Sequence, residues 1–201
     1  TRSCGIVLLL AGLSGTCSYG QVVVNEVNTS NINGLADAFG DTNNDWAELY
    51  NTTGAVVDLS GWYLSNKVNN PTKWAFPAGA SIGANGRLMV FFSKRNTVSG
   101  AEYHTSFNLN QTDGDHVVLS NSSAVIVDDV VLAPHTQVGH SRGRSTDGAN
   151  TWSLFTTPTP NAANTGASPF YAPKPLLDPA AGFFGGPVAV NMSTTDASCT
   201  I

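Results

Sequence analysis

Oxygen-bearing side chains crowd one short stretch of this 201-residue chain, Asp37-Ala-Phe-Gly-Asp41-Thr-Asn43-Asn-Asp45. Asp41, Asn43 and Asp45 alternate as ligands do in calcium loops, where a hard cation collects about six to eight oxygens. Asp37 or Glu48 could add a carboxylate. Asp37, Asp41, Asn43 and Asp45 therefore form a candidate calcium site. An EF-hand is excluded, because the glycine after the third ligand and the distal glutamate are absent. The plainer reading is an Asx-rich turn entering a strand, with Asp45 capping backbone N–H groups.

A second set of acids, Glu26 and Glu48, sits inside strand-like patterns. Paired carboxylates can do acid–base work, but a carboxylate on a strand more commonly closes a hydrogen-bonded network. His104, His116, His135 and His140 lie on separate segments without zinc spacing. There is no Gly-x-Ser-x-Gly elbow and no phosphate-cradling glycine loop. No catalytic residue is therefore expected. Trp46, Trp62, Trp74 and Trp152 could build a sugar-stacking platform; Trp46 and Trp152 are the candidate ligand contacts.

Composition narrows the partners. Nine basic against fourteen acidic residues give a formal charge of −5, and only 11% of residues are charged. Phosphate backbones need clustered Lys and Arg, and Arg142 with Arg144 is too small a cluster, so nucleic acid is not expected. Arg2, the apolar run Gly5–Leu13 and small residues before Gln21 have the layout of a secretory signal peptide over residues 1–20. The run is too short to span a membrane, and the missing initiator Met implies that the first residues are lost. Cleavage there would remove Cys4 and Cys17 and leave Cys199 alone, so the fold must rest on a core and not on disulfides.

The elements that must position these residues are short. Apolar segments recur at Val22–Val27, Trp46–Tyr50, Trp62–Leu64, Lys73–Phe76, Leu88–Phe92, His116–Leu119, Val125–Leu132 and Thr151–Phe155. Turn pairs separate them: Thr53-Gly54, Ser60-Gly61, Asn85-Gly86, Asp113-Gly114 and Asp147-Gly148. In the second segment, Ala47 and Leu49 face one way and Trp46, Glu48 and Tyr50 the other. Leu88–Phe92 is apolar on both faces and should be a central strand. Many short strands with even turns and no helical period predict an all-β sandwich. After Phe155, Pro- and Ala/Asn-rich residues 162–172 read as a linker. A second β-module should begin at 173, with Val188–Val190 as a strand, and be cut short at 201.

Several stretches together resemble the lamin-tail domain family in its bacterial, secreted branch. They are Val24-Asn-Glu-Val27, Asp45–Asn51, Asp58–Ser65, Lys73–Pro77, the run from Asn85 to Phe92, Phe107-Asn-Leu109, Asp128, Gly143-Arg144 and Pro158-Thr-Pro-Asn161. Ala47 stands where a larger aliphatic is usual, and Asn161 where glycine is common. The resemblance covers about 22–161 and implies an immunoglobulin-like β-sandwich over 21–161, an interaction or targeting module without catalytic residues. Residues 173–201 resemble the start of a chitobiase/hexosaminidase C-terminal-type module. That order of modules implies the N-terminal part of a CotH-type kinase-like surface protein.

The expected function is a non-catalytic interaction, tethering or targeting module of a larger exported bacterial protein, secreted or on the cell surface. Its partner is an unknown protein or a cell-surface glycan, and calcium is the one cofactor in view. The alternatives are a carbohydrate-binding module and the front of an enzyme whose catalytic domain lies beyond residue 201.

Overall fold

A computed structural model describes residues 21–112, 114–132, 136–172 and 174–195. The segment read as a signal peptide, all three cysteines and His135 lie outside them.

Strand β1 (Val22–Asn28) is paired antiparallel with β2 (Trp46–Asn51), and β2 with β7 (Arg87–Phe91). β1 also carries β12 (Ser141–Arg144), and β12 carries β13 (Trp152–Phe155). Beyond β7 come β9 (Glu102–His104), in parallel, and β8 (Thr97–Ser99). This makes a seven-stranded sheet in the order β13-β12-β1-β2-β7-β9-β8. A four-stranded sheet runs β11-β10-β4-β5, formed by β11 (Ile126–Leu132), β10 (Asp115–Ser120), β4 (Tyr63–Ser65) and β5 (Trp74–Ala75). A small pair, β3 (Val57–Asp58) with β6 (Ser81–Ile82), closes one end.

The alternation expected for Trp46–Tyr50 positions the core. Ala47 pairs across to Val27 and Val90, and Leu49 to Val24 and Leu88; all are buried in the main cluster with Leu64, Val117 and Leu119 of the second sheet. Period-two alternation thus gives the larger sheet an apolar inner face. Its outer face is covered as well. Trp46, Met89 and Phe91 form a second cluster against Leu35 of the 29–45 loop. β7 is central and buried, as its two-faced apolarity predicts.

Residues 162–172 are not a free linker. Ser168 exchanges backbone hydrogen bonds with Leu154, and Asn164 is buried. Phe170 lies under the Arg142 guanidinium, and the Tyr171 ring stacks on His140. Residues 162–168 hold no large apolar anchor; asparagine holds the segment down instead, as a hydrogen-bonding plug. Beyond this strap, β14 (Leu176–Asp178) and β15 (Asn191–Ser193) form an isolated two-stranded ladder. The second strand starts one residue after the expected Val188–Val190. Leu176 and Met192 on the ladder and Phe183, Phe184 and Val190 beside it are all exposed, so this ladder has no core of its own.

Candidate functional site

Glu26 and Glu48 are Cα partners on adjacent strands and both are 0% exposed. A bulge between Val24 and Glu26 adds one residue to β1 and lets Asn25 reach the same outer face as Glu26. The strap, counted from Thr157, then crosses this face. Glu26 accepts bonds from the Thr159 amide at 3.0 Å, the Thr159 hydroxyl at 2.7 Å and the Ser141 hydroxyl. Glu48 accepts from the Asn161 amide at 2.7 Å and the Asn25 side chain at 2.9 Å. Asn164 donates to the carbonyls of Arg144 (2.7 Å) and Asn25 (3.2 Å). Arg87 pairs with Asp147 and lies 3.7 Å from Glu48. Burial, with the facing Glu26 charge adding to it, pushes Glu48 up to about 7 against the pull of Asn25, Asn161 and Arg87. Both carboxylates are thus spent on the fold's own donors, and neither reaches solvent. They clamp the strap to the sheet.

The motif residues explain themselves here. Asn161 has φ 59°, the left-handed region that glycine tolerates best and asparagine next. That is why glycine is common at its position. A Cβ on Gly143 would meet Phe155 at 3.0 Å and Asn164 and the Asn25 carbonyl at 3.1 Å. Arg144 bonds the Val24 carbonyl at 2.8 Å and Asp128 at 2.7 Å, while Asp128 accepts from the Val24 amide at 2.8 Å. This trio splices β1 and β12 to β11 across the flank of the sandwich.

The acidic loop is braced by its own hydrogen bonds. Asp37 accepts from the amides of Phe39 (2.9 Å) and Asp41 (3.0 Å) and from Asn44 (2.9 Å). Against the cost of burial, these bonds and nearby His104 hold its carboxyl below the usual range. Asp41 caps Asn43 and approaches Arg95, and Asn43 accepts from Asn33. The capping role expected of Asp45 falls to Asp37, whereas burial alone pushes the Asp45 carboxyl up to about 7. Among the described residues no three His, Cys, Asp or Glu side chains converge as a metal set.

The two candidate tryptophans do not share a platform. Trp46 is 0% exposed beneath the loop and strap, and its indole N–H finds no acceptor among the described residues. Trp74 is buried and Trp62 packs on the core. Trp152 is half-buried and lines a cavity of about 230 Å³, bounded by β11 from Asp129 to Leu132, Arg142 and Phe170. Of the histidines, His104 is buried with burial lowering its pKa, His116 pairs with Asp129, and His140 meets Tyr171. Arg142 is the cavity residue that no sequence motif singles out. Its alternation with Ser141 and Gly143, opposite Val27 and Leu154, is the signal that turns it towards the inner flank.

Two sheets packed face to face, with no helix among the described residues, define an all-β, immunoglobulin-like sandwich whose paired acids are buried and hydrogen-bonded. The family model for the lamin tail domain matches residues 16–133, more than half of the chain, and the chain belongs to that family. Lamin tail domains are non-catalytic immunoglobulin-like domains. No curated protein matches the chain. The match ends at β11, yet β12, β13 and the strap complete the larger sheet.

Proposed function

We propose that this chain is a non-catalytic interaction module of a larger exported bacterial protein, tethering or targeting it at the cell surface. One observation carries the reading. The buried paired acids are saturated by the strap, whereas the flank cavity keeps a half-buried arginine beside two aromatic rings. Chemistry needs a free acid or base within reach of substrate; recognition needs shape, aromatic surface and an unspent charge. The immobilised chain should retain a defined component from a cell-envelope extract, while hydrolase and transferase screens stay blank. Reproducible turnover abolished by Glu48→Gln, or by any single carboxylate substitution, would overturn the reading.

A carbohydrate-binding role is the second reading, favoured by Trp152 at the cavity. Calcium at residues 37–45 stays part of the proposal, in a loop where Asp37 and Asp41 also accept from the loop's own N–H groups. The exposed apolar residues around β14 and β15 support a further β-module of the chitobiase/hexosaminidase C-terminal type beginning there, ahead of a CotH-type catalytic domain. Sequencing the complete reading frame tests this, and a stop codon directly after Ile201 rules it out.

A further inference from the structure

We propose that the flank cavity binds a uronate, a pyranose ring carrying a carboxylate, as one unit of an acidic glycan. The proposal rests on the interaction-module reading and names the ligand of its open site.

The cavity lies where the two sheets part. β11 is the edge of the four-stranded sheet and β13 the edge of the larger one. Between them, Arg142 and Trp152 project from the inner face, and Phe170 closes one side from the strap. The volume, about 230 Å³, falls short of the roughly 300–1,000 Å³ of sites that enclose drug-sized ligands. One ring fits, and the rest of a chain stays in solvent.

Three groups specify the ring. Arg142 spends its Nε on the Thr136 hydroxyl at 3.3 Å and has no carboxylate within ion-pair distance among the described residues. A half-buried guanidinium without a counter-ion is an incomplete site, and its planar fork matches a carboxylate bidentately. Trp152 and Phe170 give flat apolar faces of the kind that pack on a pyranose C–H face. Each holds an arginine on one side, with guanidinium carbons 5.5 and 5.1 Å from the ring centres. Asp129, at the cavity wall and bonded to His116 at 2.8 Å, offers an acceptor for ring hydroxyls. The same Asp129 disfavours phosphate monoesters, which carry about −1.5 to −2 charge near pH 7, more than one arginine offsets. A single carboxylate on a hydroxylated ring satisfies all three groups.

The test is titration calorimetry and 1H–15N NMR of the chain with oligogalacturonate, against neutral galactan and a glutamate-containing peptide. Oligogalacturonate should bind, weaken with added salt, and shift the Trp152 indole and Arg142 Nε signals, while galactan binds at least tenfold more weakly. Arg142→Met, which keeps the stem and removes the fork, should lose at least tenfold. Val131→Glu should do the same by placing a carboxylate at the mouth; Val131 is 70% exposed, so folding is not at stake. Equal binding of galactan, preference for the peptide, no binding, or binding indifferent to both substitutions overturns the proposal. If the immobilised chain still retains an envelope component in any of those cases, the uronate alone has failed and the interaction module stands.

Discussion

At the scale of single residues, burial decides what each acid does. Asp45 and Glu48 are both raised to about 7. Between the ordinary carboxyl range and about 7, the folded chain keeps protons that the unfolded chain has released. Stability therefore falls as pH rises through that window. Asp45→Asn should raise the melting temperature at pH 8, by the equivalent of about 1–2 kcal/mol after solvent screening, and leave it unchanged at pH 4. Thermal melts of both proteins across that range check it; a gain independent of pH would mean that burial of the charge is not the cause. Asp37, held low, acts in the opposite sense and its contribution is lost only below the usual carboxyl range. Glu48→Gln swaps an acceptor for a donor facing the Asn161 amide or the Asn25 side chain, and should cost about 1–3 kcal/mol in denaturant unfolding. Gly143→Ala should cost a similar ~1–3 kcal/mol, because its Cβ meets the strap and the β1 backbone.

At the scale of elements, the strap is the feature that composition hid. Its Thr159 and Asn161 amides and the Asn164 side chain satisfy acids and carbonyls that would otherwise be buried unpaired. A chain ending at residue 156 should therefore lose cooperative unfolding, read by calorimetry and limited proteolysis, while one ending at 172 keeps it. Strands with alternating or two-faced apolar runs were legible in the sequence, since their period reflects the core they face. β12 was not: Ser-Arg-Gly-Arg has no apolar residue, and its place is set by pairing with β1 and β13. β3, β6, β8 and β9 are two or three residues long, too short to show a period. The oxygen spacing at 37–45 was visible, but not the hydrogen bonds it makes, because a ligand set and a chain of Asx caps share the same residues. Arg142 stood out only as half of a basic pair; that it has no ion-pair partner among the described residues is a tertiary fact.

At the scale of the molecule, the sandwich is closed by contacts between distant parts of the chain, and the ladder of β14 and β15 stands outside that closure. Native-state hydrogen exchange should therefore be slowest in β1, β2 and β7 and fastest across 174–195, whose apolar residues lie exposed. Millimolar calcium should raise the melting temperature and EDTA lower it; equal melting in both would leave residues 37–45 braced by their own hydrogen bonds alone.

The glutamate clamp also has a mechanical consequence. Glu26 belongs to the first strand, and Thr159 to the strap by which the chain leaves the sandwich. A pull applied between residue 21 and residue 172 bears on the Tyr171 and Phe170 contacts, the Ser168–Leu154 bonds and this clamp. Because residue 21 opens β1, the ladders of β1 with β2 and β12 share that load. If the proposed tether carries tension, a strap that peels before those ladders would lengthen the connection as a fuse does.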